Sequence, residues 1–182
     1  MLTAQEALIR LQEGNKRFVE GKSTYNTNDK HRRNELVDGQ TPFAIILGCS
    51  DSRVPAEIVF DQGLGDLFVI RIAGNIVAPS QIGSVEFAVE TFHTPLVVVL
   101  GHTRCGAVAA TLNQIRQPQA SRSQHLRSIV ERIRPAVEPL SEIRTDLTRE
   151  HLLERAIRSN VRMSVNQLRH GSYFLEEIHL SL

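Results

Sequence analysis

Hydrophobic and polar positions divide the chain into short apolar runs and longer periodic stretches. Three runs are almost wholly apolar: Phe43–Gly48 "FAIILG", Leu67–Ile72 "LFVIRI" and Leu96–Gly101 "LVVVLG". Each is short, rich in β-branched residues and bounded by Gly, Pro or charge. That pattern predicts interior strands of a parallel sheet. Between the second and third, Val85, Ala88, Val89 and Phe92 recur at helical spacing. They predict a crossover helix and a βαβ connection.

The remaining periodic stretches predict helices. Thr3-x-x-Glu6 is a capping-box pattern, and Leu8, Leu11 and Phe18 follow it at helical spacing, so residues 4–20 read as an amphipathic helix. Residues 21–40 are polar and weakly periodic, an arm or loop with one helical turn near Arg32–Leu36. Val108, Leu112 and Ile115 mark a helix that starts close to Cys105, and residues 119–123 form a polar loop. Leu126, Ile129, Val130 and Ile133 mark another helix, which Pro135 is expected to kink or end. The longest pattern runs from Thr148 to Arg169. Leu152, Leu153, Ala156, Ile157, Val161, Val165 and Leu168 are expected on one face, with Gly171 as its C′ stop. The class is α/β: a parallel β-sheet core of three strands flanked by α-helices, as one domain over 1–182 with an N-terminal helical arm to about residue 40.

Composition narrows the function. Apolar residues make up 41% of the 182, enough for a core. The charges, 21 basic against 20 acidic, nearly cancel, which argues against a polyphosphate partner held by bulk charge. Trp is absent and Tyr occurs twice, too few for a base-stacking platform. No apolar run reaches 18 residues and the start lacks a signal-peptide core, so the expectation is a soluble, cytoplasmic chain. In a reducing compartment, two cysteines point to metal binding or catalysis before a disulfide. Buried free cysteines are the plainer alternative.

In α/β sheets function gathers beyond the carboxyl ends of the strands. That rule selects Cys49–Arg53, Ala73–Asn75 and His102–Gly106. "RIAGN" (Arg71–Asn75) lacks both the G-x-G-x-x-G spacing and a P-loop lysine, so it does not read as a phosphate loop. The other two ends hold both cysteines, a histidine and an aspartate: Cys49-x-Asp51-x-Arg53 and His102-x-x-Cys105-Gly106. Thiolate, imidazole and carboxylate are zinc donors. Three protein ligands leave one position open, the catalytic arrangement, in which zinc yields a hydroxide nucleophile near neutral pH. Asp51, held by Arg53, either accepts a hydrogen bond from that hydroxide or binds the metal as a fourth ligand in a closed state. The sequence leaves both states open. His31, His93, His125, His151, His170 and His179 lie away from these ends and read as surface or core-edge histidines.

These segments resemble the β-class carbonic anhydrases. The resemblance rests on "CSDSRVPAEIVFDQGLGDLFVIRIAGN" (Cys49–Asn75), "GSVEFAVETF" (Gly83–Phe92) and "VVVLGHTRCGAV" (Val97–Val108). The helices "ALIRLQEGNKRF" and "SNVRMSVNQLR" are also similar to the family. The resemblance implies reversible hydration of CO₂ to bicarbonate and a proton. It makes Cys49, His102 and Cys105 the ligands of one Zn²⁺ per subunit, and Asp51 and Arg53 the catalytic dyad. It matches Gln40 and the Gly106 backbone N–H to substrate contacts, and Phe68, Ala73 and, across a dimer interface, Phe87 to the apolar lining for CO₂. A homodimer or larger homo-oligomer is implied, with no nucleic-acid or membrane partner.

Two departures from the family pattern set further expectations. Some bacterial members carry a second, inhibitory bicarbonate pocket built from a Trp, an Arg and a Tyr. Here Arg71 stands at the Arg position and Ile46 at the Trp position, so that pocket is expected to be absent. Family chains usually continue past "SYFLEEIHLSL" with further strands. The third strand is therefore expected to leave an apolar edge, covered by a partner or by the tail "LEEIHLSL", or else uncovered in a weakened relative. Hydrolysis of carbon disulfide or carbonyl sulfide on the same scaffold, and zinc binding without turnover, are the competing readings.

Overall fold

The structure, a computed structural model, describes residues 2–25, 30–117, 123–142 and 148–180. The α/β class holds: one parallel sheet contains β1 (Ala44–Gly48), β2 (Leu67–Arg71) and β3 (Val97–Leu100), in the order β2-β1-β3. Central β1 is buried along its whole length, whereas Val97 at the start of β3 is 37% exposed. The expected interior character thus belongs fully to β1, the strand with two neighbours. No helix among the described residues is long and apolar enough to cross a membrane.

The chain divides into two compact units. The first comprises Met1–Leu47, Ser52–Ile70 and Gly83–Val98. Helix α1 (Ala4–Val19) opens with the expected capping box: the Thr3 hydroxyl accepts from Glu6 N at 3.2 Å, and Glu6 Oε2 accepts from Thr3 N at 2.7 Å. It buries Ala7, Leu11 and Gly14, while Phe18 stays 39% exposed. A Cβ on Gly14 would stand 1.8 Å from the Phe60 carbonyl, so glycine is what lets α1 approach α3 (Ala56–Val59). The polar arm contains α2 (Lys30–Glu35), near the expected turn.

Asp61 pins the segment that follows α1. It is 5% exposed and left-handed, with φ 46°. Its carboxylate accepts from Arg17 Nε at 2.5 Å, from the backbone N–H groups of Thr24 and Tyr25 at 3.0 Å each, and from the Thr24 hydroxyl at 3.2 Å. Burial works to raise the Asp61 pKa, but these donors outweigh it and hold it down at about 2.

The second unit comprises Gly48–Asp51, Arg71–Ile82 and Val99–Leu182. It contains α5 (Gly106–Arg116), α6 (Gln124–Glu142), α7 (Arg149–His170) and α8 (Tyr173–Leu180), together with a 3₁₀ turn at Ala73–Asn75. The crossover helix α4 (Pro79–Phe92) contributes its first residues here and its remainder to the first unit. Val108, Leu112, Ile133, Val137, Leu152 and Ile157 form one apolar cluster with both cysteines.

Three helical expectations are corrected. Helix α6 continues through Pro135 and Pro139, so Pro135 does not end it. A proline inside a helix costs about 3 kcal/mol, but Ile133, Ala136 and Val137 are almost completely buried on either side of Pro135, and that burial offsets it. Gly171 is the C-cap of α7 in right-handed conformation (φ −93°), not a left-handed C′ residue. A Cβ there would meet the Gln167 carbonyl at 2.3 Å. The buried stripe of α7 is Leu152, Ala156, Asn160, Ser164 and Leu168, with Ile157 beside it, while Val165 is 38% exposed. The tail "LEEIHLSL" is helical through Leu180, so it does not form a strand there; Ser181 and Leu182 lie outside the described residues. So does most of the expected loop at 119–123.

Candidate metal centre

Strand β1 ends at Gly48, and Cys49 follows at once. Strand β3 ends at Leu100, followed by Gly101 and His102. Because β1 and β3 are neighbours, the two ends converge. A turn then brings Cys105 back, with Arg104 left-handed at φ 57°. Cys105 is the N-cap of α5. Cys49 Sγ, a His102 ring nitrogen and Cys105 Sγ all lie within 4.8 Å of one another, and all three residues are buried.

The histidine is prepared for a ligand. Its Nδ1 lies 2.9 Å from the Thr103 carbonyl, so Nδ1 carries the proton and donates. That leaves the lone pair on Nε2, which is buried and has no hydrogen-bond partner among the described residues. A buried acceptor without a donor is costly, and two sulfurs beside it complete the donor set that suits zinc. The residues therefore fit the ion that the donor set implies.

The sulfurs themselves share a proton. The Cys105 S–H donates to Cys49, pulling the Cys49 thiol well below the ordinary thiol range. The same bond, aided by burial, pushes the Cys105 thiol up. One thiol ionises readily, and the second proton leaves when a cation takes its place. The Gly74 N–H also donates to Cys49 Sγ, at 3.3 Å.

Asp51 Oδ2 stands 3.9 Å from His102 Nε2, too far for a hydrogen bond. The carboxylate lies outside the mutually close donor set. Sequence reasoning missed one contributor. The Arg71 guanidinium straps the loop, with Nε 3.1 Å from the Cys49 carbonyl and Nη2 2.6 Å from the Asp51 carbonyl. A charged residue closing β2 two residues before the "AGN" turn was the available signal.

The other expected site residues divide between the units. Ala73 is half-buried in the second unit. Gly106 there is exposed and is the first residue of α5, where an N–H has no intrahelical acceptor. Gln40 and Arg53 are exposed and belong to the first unit. Phe68 and Phe87 are also there, their rings 6.2 Å apart, with Phe92 6.0 and 5.7 Å from them. Phe87 is 51% exposed. Ile46, at the expected Trp position, is fully buried in β1.

The chain is similar to known proteins. The carbonic anhydrase of Mycolicibacterium smegmatis is 47% identical over 127 residues, covering 70% of this chain and 61% of its own. Carbonic anhydrase 2 of Mycobacterium tuberculosis is 48% identical with the same coverage. This chain thus spans about three fifths of the length of those curated relatives. Among solved structures, the β-carbonic anhydrase CcaA aligns with a TM-score of 0.71 at 26% identity, covering 96% of this chain and 78% of its own. The β-carbonic anhydrase CafA of Aspergillus fumigatus aligns with a TM-score of 0.66 at 29% identity, covering 90% and 74%. The family model described as carbonic anhydrase matches residues 44–180, from the first residue of β1 to the last of α8. With its three-stranded fold and its Cys-His-Cys cluster inside that span, the chain belongs to the carbonic anhydrase family, in the β class.

Proposed function

We propose that this protein catalyses the reversible hydration of CO₂ to bicarbonate and a proton, with zinc held by Cys49, His102 and Cys105. The observation that carries this reading is the buried convergence of those three donor atoms within 4.8 Å, with His102 Nε2 unpartnered. Bound zinc would supply Lewis acidity that lowers the pKa of a water; the reference value of about 7 comes from a carbonic anhydrase whose zinc is held by three histidines, not from this donor set.

The chain's own groups do the rest. Asp51 acts as hydrogen-bond acceptor to the attacking water and aims its lone pair at the substrate carbon. Arg53, two residues on, holds that carboxylate in orientation. Arg71 fixes the loop that carries Asp51 by gripping its carbonyl. The Gly106 N–H and the Gln40 amide donate to the substrate oxygens. Phe68, Ala73 and the partner's Phe87 line an apolar wall suited to a nonpolar gas. A homo-oligomer belongs to this proposal, supported by a half-exposed Phe87 in an aromatic cluster. A cytoplasmic location belongs to it too, supported by two cysteines kept as free thiols.

Stopped-flow CO₂ hydration by zinc-loaded protein across a pH series tests the reading. Activity should rise with pH, and Asp51→Ala should lose most of it while keeping its zinc. A zinc-replete protein with no activity above about pH 8.5 sinks the proposal.

A further inference from the structure

If Cys49 is a metal ligand, two buried polar side chains on a distant helix acquire a purpose. Asn160 and Ser164 are one turn apart on α7, in the stripe that Leu152, Ala156 and Leu168 otherwise fill with apolar groups. They are 2% and 1% exposed. An amide and a hydroxyl in such a stripe cost desolvation unless they are bonded. Both bond to the same place. Asn160 Nδ2 donates to the Gly74 carbonyl at 2.8 Å, and Ser164 Oγ donates to the Asn75 carbonyl at 2.9 Å.

Those carbonyls belong to a turn in an uncommon backbone conformation, closed by one bond of its own, from the Asn75 N–H to the Ile72 carbonyl at 2.9 Å. Gly74 and Asn75 are both left-handed, at φ 69° and φ 44°, an uncommon conformation for a residue other than glycine. Glycine suits the first position: its φ is left-handed, and a Cβ on Gly74 would press on Ile133 Cδ1 at 2.7 Å and Ala107 Cβ at 3.1 Å. The turn held in this way presents the Gly74 N–H to Cys49 Sγ at 3.3 Å. An N–H directed at a ligating sulfur withdraws charge from it and fixes its direction. Outer partners of this kind tune both metal affinity and ligand basicity.

We propose that Asn160 and Ser164 are positioning residues for Cys49, acting through the Gly74–Asn75 turn. The proposal rests on the metal reading of Cys49. It assigns to α7, which supplies no ligand, control over one of the sulfur donors.

Two readouts test it besides turnover. One is the thiolate-to-cobalt charge-transfer absorption of cobalt-loaded protein; the other is the rate of zinc loss to excess chelator. The variants are Ser164→Ala and Asn160→Ala, with Ser159→Ala as control. Ser159 donates its hydroxyl to the Ala136 carbonyl at 2.6 Å from the same helix, away from the turn. Ser164→Ala removes one oxygen and keeps the proposal testable should Asn160→Ala not fold. The expected result is a shifted band and about tenfold faster zinc loss in both variants, with Ser159→Ala matching the parent. The proposal is overturned if Ser164→Ala matches the parent in both readouts, or if Ser159→Ala changes them as much. A parent protein that shows no thiolate band with cobalt overturns the metal reading itself, which separates the two failures.

Discussion

Asp61 in the first unit and the Cys49–His102–Cys105 cluster in the second are both buried polar centres, built in opposite ways. Asp61 is saturated: a guanidinium, two backbone amides and a hydroxyl surround one carboxylate. The cluster is left incomplete: His102 Nε2 has no donor, and two sulfurs share what one proton can satisfy. A saturated centre holds chain segments together and has no capacity left for chemistry. An unsatisfied one, in a chain that folds, is where a ligand belongs.

Removing a ligand should have the largest effect. Cys49→Ser, Cys105→Ser or His102→Ala should take the purified protein from about one zinc per chain to almost none, as read by atomic emission. Unchanged zinc in both cysteine variants would break the contrast at its root. Asp51→Ala comes next: zinc content should hold while kcat/KM falls by a factor of about 10² to 10⁴, read by stopped flow.

The saturated centre should respond in stability alone. Asp61→Ala removes the acceptor of every donor around it and should cost roughly 3 kcal/mol in urea unfolding, with zinc content unchanged. Its pH dependence follows from a folded pKa of about 2, below the ordinary 3.8. The contribution is fully present above pH 4 and is lost as pH falls from 4 towards 2, a change of about 2 kcal/mol. Asp61→Ala should flatten that part of the stability curve. Thr3→Ala, which removes the exposed cap of α1, should cost about 1 kcal/mol or less and leave zinc and activity alone.

The sequence disclosed the ligands more readily than their support. Three apolar runs bounded by turn residues define strands whatever surrounds them, and strand ends carrying both cysteines and a histidine point outward from that pattern. Asn160 and Ser164 escaped because hydrophobic periodicity gives their helix face to Val161 and Val165. Only the four-residue step through Leu152, Ala156 and Leu168 places them inside. Their partners are carbonyls 86 to 89 residues earlier, and a backbone acceptor leaves no mark on a sequence. Arg71 was visible as a residue, yet its grip on two carbonyls depends on the loop path after β1. The continuation of α6 through Pro135 was hidden for a related reason: local propensity opposed it, and burial on both sides decided it.

The long sequence interval between the 74–75 turn and α7 also has a meaning in time. All three ligand residues leave the ribosome well before Asn160 and Ser164 do. A nascent chain arrested after Cys105 would already carry both thiols and the imidazole, but nothing from α7 to hold the Gly74 amide against the first sulfur. Ligand chemistry is complete early in synthesis, and the seat for Cys49 is finished only when α7 arrives.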